Sequence, residues 1–327
     1  MNRWHFYFKP VLKINMKQIK LVFLFSLVLL IFARVQGQEK NIAEKLGYSK
    51  EAKLLIIHAD DIGVAHSVNA ASISAFEKKG ISSGSVMVPC PWFPEIAAYA
   101  RDHSGLDLGI HITLTAEWKN YKWGGVLSSK EIPSLLNKEG FFFESVAEFV
   151  KNAKPAEVEK EVRAQIDRAI AFGIKPTHLD SHMGSLFALP ELFAIFQKIG
   201  REYKMPVLIP MNMIRQGAPH LQGKIEPGQP TLTQLFSLSM SIPPEKWNET
   251  YNQFIEKITS GLNEIIGHLA FDNEEMQAVT IDHPDFGSLW RQRDYHFVTG
   301  DELKGILKKN NIHLVTWREV QIAWFEK

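Results

Sequence analysis

Short apolar runs alternate with longer amphipathic segments from Gln38 onward. A strand buried on both faces reads as a continuous apolar run, whereas a surface helix repeats its apolar residues every three or four positions. The alternation therefore predicts βα units around a parallel sheet. The predicted strands are Lys53–His58, Ser83–Val88, Asp107–Ile112, Pro176–Asp180, Met205–Pro210, Met276–Ile281 and Ile312–Thr316.

The number of these units predicts the fold class. A TIM-type α/β barrel commonly occupies about 250 residues, so seven units after Gln38 fit a distorted or incomplete TIM-like barrel better than a small open sheet. The clearest predicted helix is Pro155–Phe172, where apolar residues recur every four positions and Gly173 follows the end. Two segments break the alternation, Glu117–Val150 and Asn212–Tyr251, and are predicted to be substrate loops.

The N-terminal residues have the pattern of a leader. Leu21–Ala33 is an apolar run that follows two lysines and precedes the small residue Gly37. The run is shorter than the roughly 20 residues that cross a bilayer, so residues 1–37 are predicted to be a signal peptide, with Met16 as an alternative start. Residues 38–327 would then form a single domain, exported to the periplasm or secreted. An uncleaved anchor is the structural alternative.

The composition describes an ordinary globular protein of 327 residues, of which 45% are hydrophobic and 22% are charged. A formal net charge of +1 gives no reason to expect nucleic acid or an anionic membrane as a partner. The single cysteine, Cys90, cannot form an intramolecular disulfide, so stability must come from the core. A small molecule or an oligosaccharide is the expected partner, without stable membrane insertion after signal cleavage, and a homodimer is left open.

The first predicted strand runs into two adjacent carboxylates, Asp60 and Asp61. In parallel sheets the chemistry collects at the carboxyl ends of the strands. Two neighbouring acids repel each other there unless a cation or a shared proton relieves them. The pair therefore indicates an active site, although a turn or a helix N-cap would also use aspartate.

Histidines and acids also cluster at the ends of three further predicted strands. In a parallel barrel these clusters would converge, and strand alternation would point His178, Asp180 and His182 in one direction. Such ligands suit Zn²⁺, Mn²⁺, Co²⁺ or, with more oxygen, Mg²⁺. The alternative is that some of these histidines are ordinary core or surface residues. The four clusters span residues 58–61, 109–113, 178–182 and 282–285.

Four short segments also carry a family resemblance. HADDIG, GIHITLT, PTHLDSH and DHP, in this order and with this spacing, resemble the YdjC-like carbohydrate deacetylases, the group that includes chitooligosaccharide deacetylases. The similarity extends over nearly the whole chain after the leader. The segment RDYHFVTGDELKGIL, which begins at Arg293, is similar to the closing segment of the family.

The resemblance implies a metal-dependent hydrolase that removes the acetyl group from an N-acetylated sugar. It implies one divalent ion, Mg²⁺ or Zn²⁺, held by Asp61, His111 and His182. It places Asp60 at the position of the general base and His283 at that of the general acid. A further set is expected to orient these groups or to contact the substrate: His58, His178, Asp180, Thr113 and Arg293.

The chain departs from the family pattern at two places. After HLDSH the family commonly continues with further histidines, whereas Met183 and Gly184 follow here. The first segment begins with His58 where the family usually has asparagine. Both changes lie beside the predicted site, so the chemistry is expected to be retained while the sugar that is bound is left open.

Two other function classes are compatible with the same residues. A metal-independent glycoside hydrolase could pair Asp60 with Asp180 or Asp285. A secreted sugar-binding protein without turnover could bind its ligand through the aromatic residues of the segment 118–123. Nucleotide chemistry is not expected, because the chain lacks a phosphate-binding loop of the Gly-x-x-x-x-Gly-Lys type. Acyl-serine chemistry is not expected either, because the Gly-x-Ser-x-Gly match at residues 80–84 runs into a predicted strand, whereas a nucleophile elbow follows one.

Overall fold

The computed structural model describes residues 41–239 and 241–325, so the predicted signal peptide lies outside the described residues. Seven parallel strands form one sheet with the order β4-β3-β2-β1-β6-β5, and β7 pairs with β1. The central β1 pairs with β6 over most of its length, with β7 near its start and with β2 near its end. The strands are β1 Lys53–Ile62, β2 Ser83–Val86, β3 Leu108–Ile112, β4 Leu179–Ser181, β5 Gln234–Phe236, β6 Gly261–Gly267 and β7 Ile312–Leu314.

Helices connect these strands and complete a half-barrel. This architecture confirms the predicted α/β class and the distorted or incomplete TIM-like barrel. None of the helices in the described ranges combines the length and the apolar character needed to cross a bilayer. The α-helices are α1 Ile42–Lys45, α2 His66–Glu77, α3 Phe93–Asp102, α4 Val146–Asn152, α5 Pro155–Ala171, α6 Pro190–Glu202, α7 Met211–Gly217, α8 Trp247–Lys257, α9 Glu274–Val279, α10 Ser288–Thr299, α11 Asp301–Lys309 and α12 Trp317–Phe325, and the 3₁₀ helices are His182–Phe187, Pro219–Lys224 and Pro244–Lys246.

Most of the predicted elements are present. The predicted helix Pro155–Phe172 is confirmed as α5, which begins at a proline, buries Val158 and Val162, and is followed by Gly173 with a φ of +91°. Strands β1, β2, β3, β4 and β7 each overlap a predicted strand. The predicted strand Met205–Pro210 is reduced to two isolated bridges, from Val207 to Leu179 and from Pro210 to Leu232.

The predicted strand Met276–Ile281 is wrong, because this segment contains helix α9. Asn273 precedes the helix, and its side chain accepts a hydrogen bond from the backbone N–H of Met276. Two glutamates follow in the first turn, where they interact favourably with the helix dipole. These N-terminal signals outweigh the apolar residues of the segment, of which Met276 is buried.

Strand β6 was not predicted, because polar residues interrupt its apolar run. Asn263 and Glu264 lie in its middle and are fully buried. One polar group of each side chain finds a partner inside the protein: the Asn263 amide nitrogen donates to the Leu54 carbonyl, and Glu264 Oε2 accepts a hydrogen bond of 3.0 Å from the Trp317 indole. Internal partners of this kind make buried polar residues tolerable in a central strand.

The register of the sheet gathers the chemical groups at one edge. His111 on β3 lies opposite Asp180 on β4. Ala59 on β1 lies opposite Gly267 on β6, so Asp60 and His268 each follow one residue beyond that pair. The carboxyl ends of four parallel strands therefore supply one site.

A buried imidazole is held between three neighbours beneath this edge. The ring of His178 stacks on the Trp317 ring with centroids 5.0 Å apart and meets the His58 ring edge-on at 5.2 Å. The backbone of Gly109 on β3 closes the remaining side, because a Cβ atom there would lie 2.4 Å from His178 Cε1. Only glycine fits this position without displacing the ring.

We predict that Gly109→Ala lowers the free energy of unfolding by about 1–3 kcal/mol, since overpacking a rigid core costs that amount. Gly105→Ala is the matched control, because a Cβ atom there would meet nothing within 4 Å. Chemical denaturation of the two variants measures the difference. Equal midpoints would show that the His178 ring is not confined as described.

Candidate metal centre and active-site cavity

Three side chains converge at the carboxyl ends of β1, β3 and β4. Asp61 Oδ1 lies 3.3 Å from His111 Nε2 and 3.3 Å from His182 Nδ1. The two ring nitrogens are 3.2 Å apart. All three side chains are at most 6% exposed. Two imidazoles and a carboxylate thus direct one atom each at a common point.

A bulge in β1 points Asp61 toward that centre. The register between β1 and β2 shifts between Ala59 and Ile62. Asp61 lies inside the shift and has a φ of 57°, in the left-handed region that aspartate tolerates better than most residues. Bulges are commonly found beside active sites, where they redirect one side chain.

Each histidine of the centre has a carboxylate behind it. Asp180 Oδ1 lies 2.9 Å from His111 Nδ1, and Glu117 Oε2 lies 3.0 Å from His182 Nε2. Burial alone would lower both histidine pKa values, but the neighbouring acids outweigh it. The pKa of His111 is raised well above its usual value, chiefly by Asp180, and Glu117 with Asp61 raises the pKa of His182 to about 9. Outer carboxylates of this kind orient metal-ligating histidines.

A buried arginine balances the charge of Asp61. Arg291 Nη2 donates a hydrogen bond of 2.7 Å to Asp61 Oδ2, and Arg291 Nε donates to the Phe286 carbonyl. Burial acts to raise the pKa of Asp61, but Arg291 and the two histidines of the centre hold it well below its usual range. Asp61 is therefore ionised across the physiological pH range.

The second acid of the pair contacts a different histidine. His268 Nε2 lies 3.3 Å from Asp60 Oδ1. Burial, reinforced by the charges of Asp61 and Asp180, raises the pKa of Asp60 well above its usual value. Burial lowers the pKa of His268 to about 3. In the metal-free protein the proton of this pair therefore lies on Asp60, and His268 is neutral.

The donor set of Asp61, His111 and His182 fits a divalent metal. Ligand atoms about 2.0–2.1 Å from a tetrahedral ion are about 3.3–3.4 Å apart, close to the separations of this trio. Asp61 Oδ1 is buried without a hydrogen-bond partner, although Oδ2 of the same carboxylate is satisfied. An orphaned carboxylate oxygen between two imidazole nitrogens is the arrangement that a bound cation would complete.

Two other groupings of potential ligands occur among the described residues, and one of them shares Asp61 with this centre. Asp60, Asp61 and His268 form one. His58, His178 and Asp180 form the other, but Ser85 already lies between two of them: its hydroxyl donates to Asp180 at 2.7 Å and lies 3.0 Å from His58 Nε2. We therefore interpret the second grouping as a hydrogen-bonded support beneath the centre.

The centre lies in a cavity of about 750 Å³. Its polar floor contains the two aspartates of β1, the two histidines of the centre, and His268. Loops, helices and residues of β5 and β6 form the remaining walls. The lining residues are Asp60, Asp61, His111, Glu117, Trp118, Asp180, Ser181, His182, Met183, Gly184, Phe187, Leu208, Pro210, Met213, Ile214, Gly217, Ala218, Leu235, Ser237, Ile266, His268, His283, Asp285, Phe286 and Arg291.

Two of the residues predicted to orient the catalytic groups or to contact the substrate, Arg293 and Thr113, do not line the cavity. Arg293 is exposed and lies over the Trp247 ring, 5.1 Å from its centroid, so its predicted place at the site is wrong. Thr113 is fully buried, and its hydroxyl donates to the His111 carbonyl at 2.7 Å. It can support the His111 backbone but cannot reach a ligand in the cavity.

The predicted general acid lies in the cavity wall without contacting the acids of the floor. His283 lines the cavity, and its Nδ1 lies 2.5 Å from the Asp285 carbonyl. Among the contacts of the described residues, none joins His283 to Asp60 or Asp61. The role of general acid was predicted for His283, but His268 is the histidine that lies against Asp60.

Three residues of the site were missed: Glu117, His268 and Arg291. His268 directly follows β6, and a histidine at the end of a strand was the signal that identified the other clusters, but the strand itself had not been predicted. Glu117 was noted only as the start of an irregular segment. Arg291 precedes the segment that carries the family resemblance.

Comparison with known proteins identifies similar chains. Residues 54–309 match the family described as YdjC-like protein. A carbohydrate deacetylase of Thermus thermophilus is 30% identical over 295 residues, which is 87% of this chain and all of that protein. A carbohydrate deacetylase of Brevibacillus brevis is 35% identical over 156 residues, which is 48% of this chain and 59% of that protein.

A solved structure has the same fold. The crystal structure of a protein from Enterococcus faecalis, described by its authors in terms of cellobiose-phosphate cleavage, superposes with a TM-score of 0.69 and 23% identity. The match covers 82% of this chain and 99% of that chain. The half-barrel described above is therefore shared over nearly the whole length of that protein.

We predict that Arg291→Gln lowers the free energy of unfolding of the metal-free protein by about 3–5 kcal/mol, because it leaves a buried carboxylate without its partner. Arg293→Gln, two residues later on α10, is the matched control and should change it by less than about 0.5 kcal/mol. Urea denaturation in the presence of a chelator measures both. Similar losses for the two variants would contradict the buried ion pair.

We also predict that Zn²⁺ affinity rises with pH between pH 6 and 8. The metal-free protein holds His182 protonated below a pKa of about 9, so binding must release that proton, and each displaced proton contributes about tenfold per pH unit. Competition with a chromophoric chelator at three pH values measures the slope. Glu117→Gln should make it shallower, and a slope of zero in the unmodified protein would exclude His182 as a ligand.

Proposed function

The chain belongs to the YdjC-like protein family, and we propose that it is a metal-dependent deacetylase acting on an N-acetylated carbohydrate. The observation that carries this proposal is the convergence of Asp61, His111 and His182 on the floor of a cavity, with Asp60 and His268 beside them. Relatives that this chain matches over nearly their whole length are carbohydrate deacetylases, which supports the same activity here.

Asp61, His111 and His182 would hold one divalent ion. Two imidazole nitrogens with one carboxylate favour Zn²⁺ over Mg²⁺, which prefers oxygen ligands. A bound ion of this kind lowers the pKa of a coordinated water and polarises a carbonyl oxygen. Three protein ligands leave positions for water and substrate, whereas a structural zinc site would have four.

Asp60 and His268 are placed to move the protons of amide hydrolysis. The reaction forms a bond between a water oxygen and the acetyl carbon, breaks the bond between that carbon and the sugar nitrogen, and moves one proton from water to the amine. Asp60 would accept the water proton in its ionised form, which a cation beside it stabilises. Neutral His268, whose Nε2 lies 3.3 Å from Asp60 Oδ1, would receive that proton from Asp60 and pass a proton on to the departing amine.

The two competing functions are less well supported by the contacts. A glycoside hydrolase needs a second free carboxylate beside Asp60. Asp180 is engaged by His111 and Ser85, so only Asp285, in the cavity lining, would be left for that role. A sugar-binding platform would need exposed rings, but Trp118 and Trp123 are 1% and 3% exposed and pack on each other. Export after signal cleavage and a homodimer remain predictions from the sequence.

The direct test is acetate release from N-acetylglucosamine and its oligomers by metal-free and Zn²⁺-reconstituted protein. We predict metal-dependent release, and a loss of about 10²–10⁴-fold in kcat for Asp60→Asn and for His268→Gln, the range expected for a lost proton-transfer group. His283→Gln should lose less than tenfold. His103→Gln, at an exposed position outside the cavity, is the control for histidine replacement.

Two results would contradict this assignment. Acetate release that persists unchanged in the presence of a strong chelator would exclude the metal-dependent reaction. A larger loss for His283→Gln than for His268→Gln would return the role of general acid to His283.

A further inference from the structure

One side of the active-site cavity is apolar, unlike its floor. Carbon and sulfur atoms of aliphatic, thioether and aromatic side chains form this side, which we call the apolar wall. The apolar wall and the three predicted metal ligands, Asp61, His111 and His182, line the same cavity. The apolar wall consists of Phe187, Leu208, Met213, Ile214, Leu235 and Ile266.

Part of the apolar wall is accessible rather than packed away. Met213 on α7 is 50% exposed, and Met183, which lines the same cavity next to His182, is 48% exposed. A contiguous exposed apolar patch rimmed by polar residues marks a ligand-binding groove or another interaction surface. Methionine adapts to irregular apolar ligands because its side chain is unbranched and polarisable.

The lining offers little to an extended sugar chain or a phosphate. Its arginine, Arg291, is already engaged by Asp61 and the Phe286 carbonyl, and none of its residues is lysine. Glu117 and Asp180 are engaged by the two histidines of the centre. The other polar side chains of the lining away from the floor are Ser181, Ser237, His283 and Asp285. A second pyranose ring placed against the apolar wall would leave most of its hydroxyls without partners, which is costly when they are desolvated.

We propose that the substrate carries a hydrocarbon group of several carbons besides its amide-bearing sugar, and that this group lies against the apolar wall. This inference rests on the proposed function. A cavity of about 750 Å³ is in the upper part of the range for drug-sized ligands and leaves room beside one acetamido sugar. The hydrocarbon belongs either to a longer N-acyl chain or to an apolar aglycone, and both present the same chemistry to the wall.

Two substrate series distinguish these sources. One is glucosamine with N-acetyl, N-butanoyl and N-octanoyl groups, and the other is N-acetylglucosamine with methyl, butyl and octyl aglycones, all below their critical micelle concentrations. Burial of one methylene is worth up to about fourfold, so we predict a gain of at least tenfold in kcat/KM from the shortest to the longest member of one series. The series that shows the gain identifies the source.

A pair of matched variants tests whether the gain comes from the apolar wall. Met213→Gln places a polar group on the wall and should reduce the gain at least fivefold. Ile170→Gln is the control, because Ile170 is 46% exposed on α5, outside the cavity, and should leave the gain unchanged. Equal gains in both variants would overturn the assignment to the wall.

Binding separates a failure of this inference from a failure of the proposed function. Asp60→Asn protein, titrated calorimetrically with the methyl and octyl glycosides and with the acetyl and octanoyl amides, should bind the long member of one pair at least tenfold more tightly. Metal-dependent acetate release with no chain-length gain in either series would overturn the hydrocarbon proposal alone. No turnover of any substrate, together with tighter binding of a long member, would overturn the deacetylase activity and retain the hydrocarbon site.

Discussion

The buried charge of Asp61 is the constraint that organises this protein. A carboxylate removed from water must be compensated on every side, and here each oxygen faces a different partner. Arg291 satisfies Oδ2, and Oδ1 faces His111 and His182. The partners come from β3, from the segment after β4 and from α10, so the elements must assemble correctly for Asp61 to remain ionised. The same arrangement leaves one oxygen available to a cation.

Protonation of a buried acid, Glu264, limits the negative charge beneath the predicted metal ligands. Asp180 is ionised beside His111. The fully buried Glu264 lies with Oε1 3.8 Å from His58 Nδ1, and its ionised form would add a second negative charge there. Burial and the charge of Asp180 raise the pKa of Glu264 well above its usual value and so favour the neutral form of this side chain. A protonated acid keeps the Trp317 hydrogen bond without repelling Asp180. The support therefore holds the ligands without increasing the net charge of the floor.

The sequence was informative where short contiguous segments carry both the strand and the site. The clusters that contain Asp61, His111 and His182 could be placed together because each lies at the end of a predicted strand. The family resemblance singled out these three residues, and the structure brings them within 3.3 Å of one another. Helix phase could not be predicted in the same way. Arg291 and Arg293 are two positions apart, about 200° around a helix, so one enters the site and the other contacts solvent. His268 was hidden because the buried polar residues of β6 obscured its strand.

The apolar wall gives a physical meaning to the departure from the family pattern after HLDSH. The backbone turns sharply there, with φ of 50° at Met183 and 65° at Gly184, and this turn directs a half-exposed thioether into the cavity immediately after His182. Where the family commonly has further histidines, this chain has a side chain that cannot donate a hydrogen bond. The change leaves the ligand trio intact and removes polar contacts only from the neighbouring wall. Selection for a different substituent on a similar amide would act on these positions.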